Sequence, residues 1–229
     1  MRLYLALPLL ALLATSAHAG RPLVTEDAGV LDRGDCEWEP VAGRSTAQGS
    51  PAETTLSTQI GCGAGMSSQL AVALGQSRSA GQTSLGLSLG AKTQLIDGGE
   101  SGSSLTLAYG AAWARDANGG NGFRLELGSI NLVSSTPLAE GWTGHVNLGR
   151  AHYREDRVTR TTWALAIEND FNETVGWGAE AFGESGSRPW LGAGLRWDAT
   201  ETLNLNLSCA QQAGAEKARM VTLGAKLAF

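Results

Sequence analysis

The 229-residue chain carries 17 basic and 22 acidic side chains, a formal net charge of −5 at pH 7. This balance argues against a nucleic-acid partner, because a surface that binds phosphate backbones is basic. Glycine is over-represented, with 31 residues against an average usage of about 7%. Length and composition together fit one all-β domain.

The N-terminus has the pattern of a secretory signal peptide. Arg2 precedes an apolar run from Leu3 to Ala14, and small residues follow up to a predicted cleavage site before Gly20. The run is shorter than the roughly 20 apolar residues that a membrane-spanning helix needs. We therefore expect a protein that is exported from the cytoplasm.

Three regions are predicted along the chain. Residues 1–19 form the signal peptide, residues 20–35 form an N-terminal segment in the periplasm, and residues 36–229 form the folded domain. The carboxylates of Glu26 and Asp27 are expected to cap the N-terminal segment. Two adjacent carboxylates are weak grounds for a metal site, and no metal is predicted.

Alternating apolar and polar residues dominate the chain from residue 36 onward. From residue 203 to 207, for example, leucine occupies every second position and asparagine lies between. Such alternation predicts an all-β fold, a transmembrane antiparallel β-barrel of about 12 strands, because lipid-facing and lumen-facing side chains alternate along each strand. The predicted strands are residues 36–42, 53–62, 68–76, 83–95, 104–115, 123–133, 142–153, 160–170, 175–183, 189–198, 203–208 and 219–229.

The sixth predicted strand changes its alternation near Gly128 and Ser129, which indicates either a β-bulge there or a misplaced strand boundary. Ten or fourteen strands remain compatible with the pattern. A soluble periplasmic β-sandwich that binds a ligand is the alternative architecture. Tryptophans near strand ends favour the barrel, because indole rings prefer the membrane interface; these are Trp113, Trp142, Trp177, Trp190 and Trp197.

The last strand resembles the C-terminal assembly signal of bacterial outer-membrane proteins. A polar residue, a glycine, a hydrophobic residue and a final aromatic follow at the spacing Thr222, Gly224, Leu227 and Phe229. The resemblance implies recognition by the outer-membrane assembly machinery. It also implies a final location in the cell outer membrane, in contact with lipid and lipopolysaccharide.

Two further stretches resemble one family of outer-membrane proteins. The sequence of residues 20–31, GRPLVTEDAGVL, with Cys36-Glu37-Trp38-Glu39 after it, is similar to the start of that family, and residues 188–197, RPWLGAGLRW, are similar to a late strand. The family is described as transporter-like, or as the MetA-pathway phenol-degradation type. The resemblance implies an outer-membrane barrel that passes small hydrophobic or aromatic compounds, and it supplies no catalytic residues.

Charged and polar residues at the lumen-facing positions of the strands are the candidate site. Two hypotheses fit them: ion pairs and hydrogen bonds that close the lumen, or a selectivity role along a solute path. These residues are Lys92, Arg124, Glu126, His145, Asn147, Glu168, Glu180 and Arg196. Four arginines near a predicted extracellular turn could attract anionic solutes or lipopolysaccharide phosphates, or could simply be solvated: Arg150, Arg154, Arg157 and Arg160.

Catalysis is not predicted. Beyond the signal peptide the chain has His145 and His152, at positions of opposite alternation, and no serine lies in a distinctive nucleophile motif. Phosphate-loop and zinc spacings are absent from the sequence, so no cofactor is expected. The leading hypothesis is a passive channel or uptake protein for small solutes, expected to be monomeric. A structural or interaction barrel with a plugged lumen is the alternative.

A disulfide between Cys36 and Cys62 is predicted from the register of the first two strands. Export to an oxidising compartment favours pairing, and one of the three cysteines is left over. Placing Cys36 opposite Cys62 centres the intervening loop on Gly49 and sets Trp38 against Ile60. Directly opposed cysteines are about 4.5–5.5 Å apart, within bridging range. Three unpaired thiols are the alternative.

Overall fold

A closed barrel of twelve antiparallel strands forms in the computed structural model of the chain, which describes residues 23–100, 102–119, 122–214 and 218–229. This confirms the predicted fold class. The strands are β1 (Cys36–Thr46), β2 (Glu53–Gly65), β3 (Ser68–Ser79), β4 (Gln82–Ile96), β5 (Ser104–Asp116), β6 (Arg124–Ala139), β7 (Trp142–Tyr153), β8 (Val158–Asp170), β9 (Val175–Glu184), β10 (Trp190–Asp198), β11 (Leu203–Gln212) and β12 (Arg219–Ala228). The predicted signal peptide lies outside the described residues.

Each strand pairs with its chain neighbours, and β1 pairs with β12 to close the sheet. We call the end where β1 begins and β12 ends the proximal end, and the opposite end the distal end. Connections between strands span only two to seven residues. Ala80 and Gly81 form a two-residue turn in which both have positive φ, 49° and 79°, the conformation that fits the twist of a hairpin.

Alternation along the strands separates two surfaces. Outward positions are apolar and exposed, for example Leu70 at 59%, Leu148 at 58% and Leu191 at 61% relative exposure. Inward positions carry small and polar side chains, many of them buried. A continuous apolar outer surface around a closed sheet is what a lipid bilayer requires. The molecule is therefore built as a membrane-spanning barrel.

The expected irregularity in β6 lies slightly earlier than predicted. Ala112 of β5 pairs with Leu127 and Trp113 pairs with Leu125, so Glu126 is the extra residue and the alternation changes there. The prediction at Gly128 was two residues late. Several strands also extend further toward the distal end than predicted, because their polar distal residues continue the hydrogen-bonded pairing without continuing the apolar alternation.

The predicted disulfide is confirmed. Cys36 and Cys62 are bonded, and their Cα atoms are 4.2 Å apart. They are direct partners in the β1–β2 register, which also pairs Trp38 with Ile60 as expected. Cys209, on β11, is the free cysteine and is exposed. Among the described residues, no helix is long and apolar enough to cross a membrane.

Candidate functional site

The N-terminal segment lies inside the barrel. We expected residues 20–35 on the periplasmic side, but the described part, residues 23–35, which we call the plug, contacts side chains of the inner wall. Leu23, Thr25, Glu26 and Ala28 are 0–5% exposed. The plug enters the lumen because the wall supplies hydrogen-bond partners to its main chain, as the following contacts show.

Glu180 of β9 holds the start of the plug. Its carboxylate accepts hydrogen bonds from the main-chain N–H of Val24, at 2.9 and 3.0 Å, and from that of Thr25, at 2.8 Å. The Thr25 hydroxyl also donates to the carboxylate, at 2.7 Å. One carboxylate therefore satisfies three donors of the plug in a buried setting.

Asn147 of β7 binds both polar groups of one plug residue. Its side-chain oxygen accepts from the N–H of Glu26 at 2.7 Å, and its amide nitrogen donates to the carbonyl oxygen of Glu26 at 2.9 Å. This paired arrangement copies the way in which two β-strand residues exchange hydrogen bonds. The Glu26 side chain is itself buried, and burial raises the pKa of its carboxyl to about 8, against the opposing effect of the Lys92 ammonium.

Lys92 of β4 is fully buried, at 0% exposure, and binds the middle of the plug. Its ammonium donates to the carbonyl oxygens of Asp27, at 2.7 Å, and Gly29, at 3.2 Å. The carboxylate of Asp27 lies 3.5 Å from the same ammonium. A buried charge needs such partners, because an unpaired one costs several kcal/mol, by rough estimate.

Ala28 is the most enclosed residue of the plug. It is 0% exposed and packs with Ala108 and Val133. Its N–H donates to the Ser135 hydroxyl oxygen at 2.8 Å, and its carbonyl oxygen accepts from the Thr106 hydroxyl. A larger side chain or a missing N–H at this position would disturb both the packing and the hydrogen bonding.

Two wall glycines make room for the plug. A Cβ on Gly63 would lie 1.9 Å from the carbonyl oxygen of Asp32, so the plug main chain passes directly over that residue. A Cβ on Gly178 would lie 2.8 Å from a methyl group of Leu23. The wall is thus shaped to the plug at its proximal exit and near its first described residue.

His145 contacts Ser135, one of the wall residues that bind the plug. Its Nδ1 lies 2.8 Å from the Ser135 hydroxyl, and its Nε2 lies 3.4 Å from a carboxylate oxygen of Glu168. A serine, a histidine and a carboxylate that contact one another in this order resemble the components of a nucleophilic triad. Here the serine hydroxyl oxygen accepts the Ala28 N–H, so the arrangement positions the plug.

The remaining predicted lumen residues lie away from these contacts. Arg196 pairs with Asp170 at 2.6 Å and with Asp198 at 3.2 Å, at the proximal end. Arg124 and Glu126 lie at the distal end. Glu126 is the bulged residue, and its carbonyl oxygen accepts from the Arg154 N–H. The predicted set therefore divides into residues that contact the plug or support it and residues at the two rims.

Trp190 was wrongly assigned to the outer face. It pairs with Phe182, and the two rings stack with centroids 6.1 Å apart and planes 5° apart. Phe182 shares the inward alternation of Glu180, so both rings face the lumen near the distal end. Trp113, Trp142, Trp177 and Trp197 lie on the outer face, where their role at the membrane interface stays a prediction.

A polar network lies beside the stacked rings. Glu184 accepts from the Tyr153 hydroxyl at 2.8 Å and pairs with Arg160 at 3.3 Å. Of the predicted arginine group, Arg160 thus serves the inner wall, while Arg150, Arg154 and Arg157 are exposed.

Three further wall residues that bind the plug were not predicted from the sequence: Gln69, Thr106 and Ser135. Gln69 accepts from the Leu31 N–H at 2.7 Å. Gln69 and Thr106 occupy inward positions of predicted strands, so alternation identifies their direction. Ser135 lies beyond the predicted end of the sixth strand at residue 133, because that strand extends to Ala139. Short polar side chains in a barrel wall are common, however, and nothing distinguishes those that bind a segment. Within the described ranges, no group of three or more His, Cys, Asp and Glu side chains could hold a metal ion.

Comparison with known proteins gives a family and a fold. A model of the family described as "Uncharacterised conserved protein UCP029691" matches residues 8–229. No curated protein matches the sequence. Among solved structures, KdgM porin is similar with a TM-score of 0.60 and 9% identity, covering 83% of this chain and 99% of the porin.

Two other channels have comparable similarity. NanC porin has a TM-score of 0.53 and 9% identity, over 83% of this chain and 98% of the porin. The COG4313 outer membrane channel from Pseudomonas putida F1 has a TM-score of 0.52 and 12% identity, over 89% of this chain and 98% of the channel. At such identities the likeness shows the fold, that of outer-membrane channels.

Proposed function

We propose that this chain, which belongs to the family matched over residues 8–229, is an outer-membrane channel for passive passage of small solutes, closed here by its own plug. The observation that carries the proposal is the set of hydrogen bonds from the inner wall to the plug main chain. Solutes cross by diffusion when the plug leaves its seat, and no catalytic step is involved.

The solute class that we propose is small and hydrophobic or aromatic. The resemblance to the phenol-degradation type of barrel implies it, and the distal lumen carries the stacked pair of Phe182 and Trp190. Flat aromatic surfaces bind rings in offset or edge-on contact, worth about 0.5–1.5 kcal/mol beyond area burial. The adjacent Arg160 is paired with Glu184, which favours a neutral solute over an anion.

Delivery to the membrane belongs to the same proposal. The signal peptide directs export, and the C-terminal residues Thr222, Gly224, Leu227 and Phe229 are recognised by the assembly machinery. Phe229 and Cys36 exchange main-chain hydrogen bonds at 2.9 and 3.0 Å where the barrel closes. The mature monomer then contacts lipid and lipopolysaccharide through its outer face.

A second candidate function is a permanently closed barrel that has a structural or interaction role. The buried plug favours it, because a lumen filled by many hydrogen bonds need not open. Permeability separates the two functions. We would reconstitute full-length protein in liposomes and measure uptake of a small neutral phenol and of a disaccharide.

The decisive variant is Ala28→Pro, which removes the N–H that Ser135 binds and adds bulk at a fully buried position. We expect faster phenol uptake than in wild type, with little disaccharide uptake. Val30→Pro is the matched control, because the Val30 N–H makes no hydrogen bond to another described residue. Equal, background-level uptake in all three proteins would favour the permanently closed barrel.

A further inference from the structure

The wall binds the plug through its main chain. Nine main-chain polar atoms between Val24 and Leu31 are held by six side chains from six different strands: Glu180, Asn147, Ser135, Gln69, Lys92 and Thr106. These atoms are five N–H groups and four carbonyl oxygens. Every peptide carries the same groups at the same spacing, whatever its sequence.

Side chains of the plug contribute over part of its length. The Thr25 hydroxyl shares the Glu180 carboxylate, the Asp27 carboxylate lies 3.5 Å from the Lys92 ammonium, and the Glu26 side chain is buried. Leu23 fills the space over Gly178, and Ala28 must be small. Gly29 is exposed, and Val24 and Val30 are half-buried. The wall therefore binds an extended main chain, with side-chain preferences at residue 23 and at residues 25–28.

From this geometry we propose that the lumen is a binding site for extended peptides, and that the plug is its resident ligand. Once the plug has left, the hydrogen bonds between its main chain and the six side chains are lost, while Ser135 keeps its contact with His145. Water that enters the emptied lumen replaces part of them, and each one that is not replaced costs about 1–3 kcal/mol. A second peptide that enters in the orientation of the plug restores all of these hydrogen bonds.

The inference rests on the proposed function in one respect, since the plug must be able to leave. Its ligand class is different from that of the distal ring pair, because the seat offers donors and acceptors rather than aromatic surface. Main-chain recognition with loose side-chain demands is also how sheet edges bind extended peptides. Here wall side chains replace the edge strand.

The test uses the full-length Ala28→Pro variant and labelled synthetic peptides in a fluorescence anisotropy titration. The first peptide has the sequence of residues 23–31. The second replaces Val24 and Val30 by serine and keeps every main-chain group. The third keeps all side chains but is N-methylated at the residues that correspond to Thr25 and Ala28. We expect the first two to bind alike, and the third about thirtyfold more weakly, because two buried hydrogen bonds are lost.

Release of the plug is followed separately, by tryptic cleavage after the exposed Arg33. If Ala28→Pro alone does not release the plug, the double variant Ala28→Pro/Leu31→Pro is used. It also removes the Leu31 N–H, which Gln69 binds, and it leaves the wall unchanged. If neither variant releases the plug, main-chain hydrogen bonds do not hold it and the inference is overturned.

Two binding results would also overturn it: equal affinity for the N-methylated peptide, or loss of binding on the serine replacements. Phenol uptake by the same variant is measured in parallel. Uptake without peptide binding would leave the channel in place and remove the peptide site. Peptide binding without uptake would do the reverse.

Discussion

Replacing Glu180 should release the plug more than any other single change in the wall. Glu180→Ala removes the acceptor of the buried Thr25 N–H, of the partly buried Val24 N–H and of the Thr25 hydroxyl. Each N–H left without a partner costs about 1–3 kcal/mol, and water that follows the shortened side chain recovers part of this. We estimate a net loss of about 3 kcal/mol, roughly a 150-fold shift of the seated–released equilibrium.

Glu180→Gln should have a smaller effect. One oxygen remains to accept from the plug, while the new amide NH₂ group faces an N–H and cannot accept it. We expect a loss of about 1 kcal/mol, close to a fivefold shift. The released fraction of the plug should therefore increase in the order wild type, Glu180→Gln, Glu180→Ala.

Single-channel recording in planar bilayers measures the shift as open probability. Glu184→Ala is the matched control, because this carboxylate is on the same strand and the same face but contacts Tyr153 and Arg160 instead of the plug. Equal open probabilities for Glu180→Ala and Glu184→Ala would refute the argument. So would a Gln variant that opens as often as the Ala variant.

Three further predictions follow from individual contacts. Gly178→Leu should displace Leu23 from the space over Gly178, so that tryptic cleavage at Arg33 becomes faster while the barrel stays folded on an unheated gel. Gly49→Leu, in an open loop position with positive φ, is the control for an effect of any added leucine on the fold. Loss of the disulfide in Cys36→Ser should reduce stability by at most about 3.5 kcal/mol, from the loop entropy of a 26-residue separation, and reduced wild type should unfold in guanidinium at the same midpoint as that variant. Burial raises the pKa of the seated Glu26 carboxyl from 4.5 to about 8, so this carboxyl holds a proton that it loses when the plug is released. Binding of the plug to the wall should therefore weaken as pH rises from about 5 to 8 and then level off. Glu26→Gln should make open probability much less dependent on pH, and an unchanged pH profile would contradict this origin.

The strands and the faces of most of their side chains could be predicted because the bilayer and the lumen impose opposite demands on successive side chains. Leu205 and Asn206 illustrate this: one faces outward and the other is buried inward. The β1–β2 register was predictable for a second reason, since the cysteine pair and the loop around Gly49 independently require it. Distal strand ends were not, because residues such as Arg44 and Ser45 pair in the sheet without continuing the apolar alternation.

The plug could not be predicted from the sequence. Its binding uses main-chain atoms, which leave no pattern of side chains, and its polar residues Thr25, Glu26 and Asp27 also suit a solvated segment. Trp190 was misassigned because the assignment used its nearness to a strand end and not its alternation. Trp190 shares the alternation of Arg196, which was predicted to face the lumen, and its pairing with Phe182 agrees with the inward position.

The short connections at the distal end limit how much of the protein can be reached at the cell surface. Bacterial barrels of even strand number have periplasmic termini. In that orientation the distal end faces out of the cell, and its connections, such as Ala80–Gly81, span two to seven residues. Antibodies, phages and added proteases would therefore have few exposed residues to bind or cleave on intact cells. The six-residue connection around Gly49, where no atom lies within 4 Å of an added Cβ, is the place to insert an epitope tag for detecting the protein at the surface.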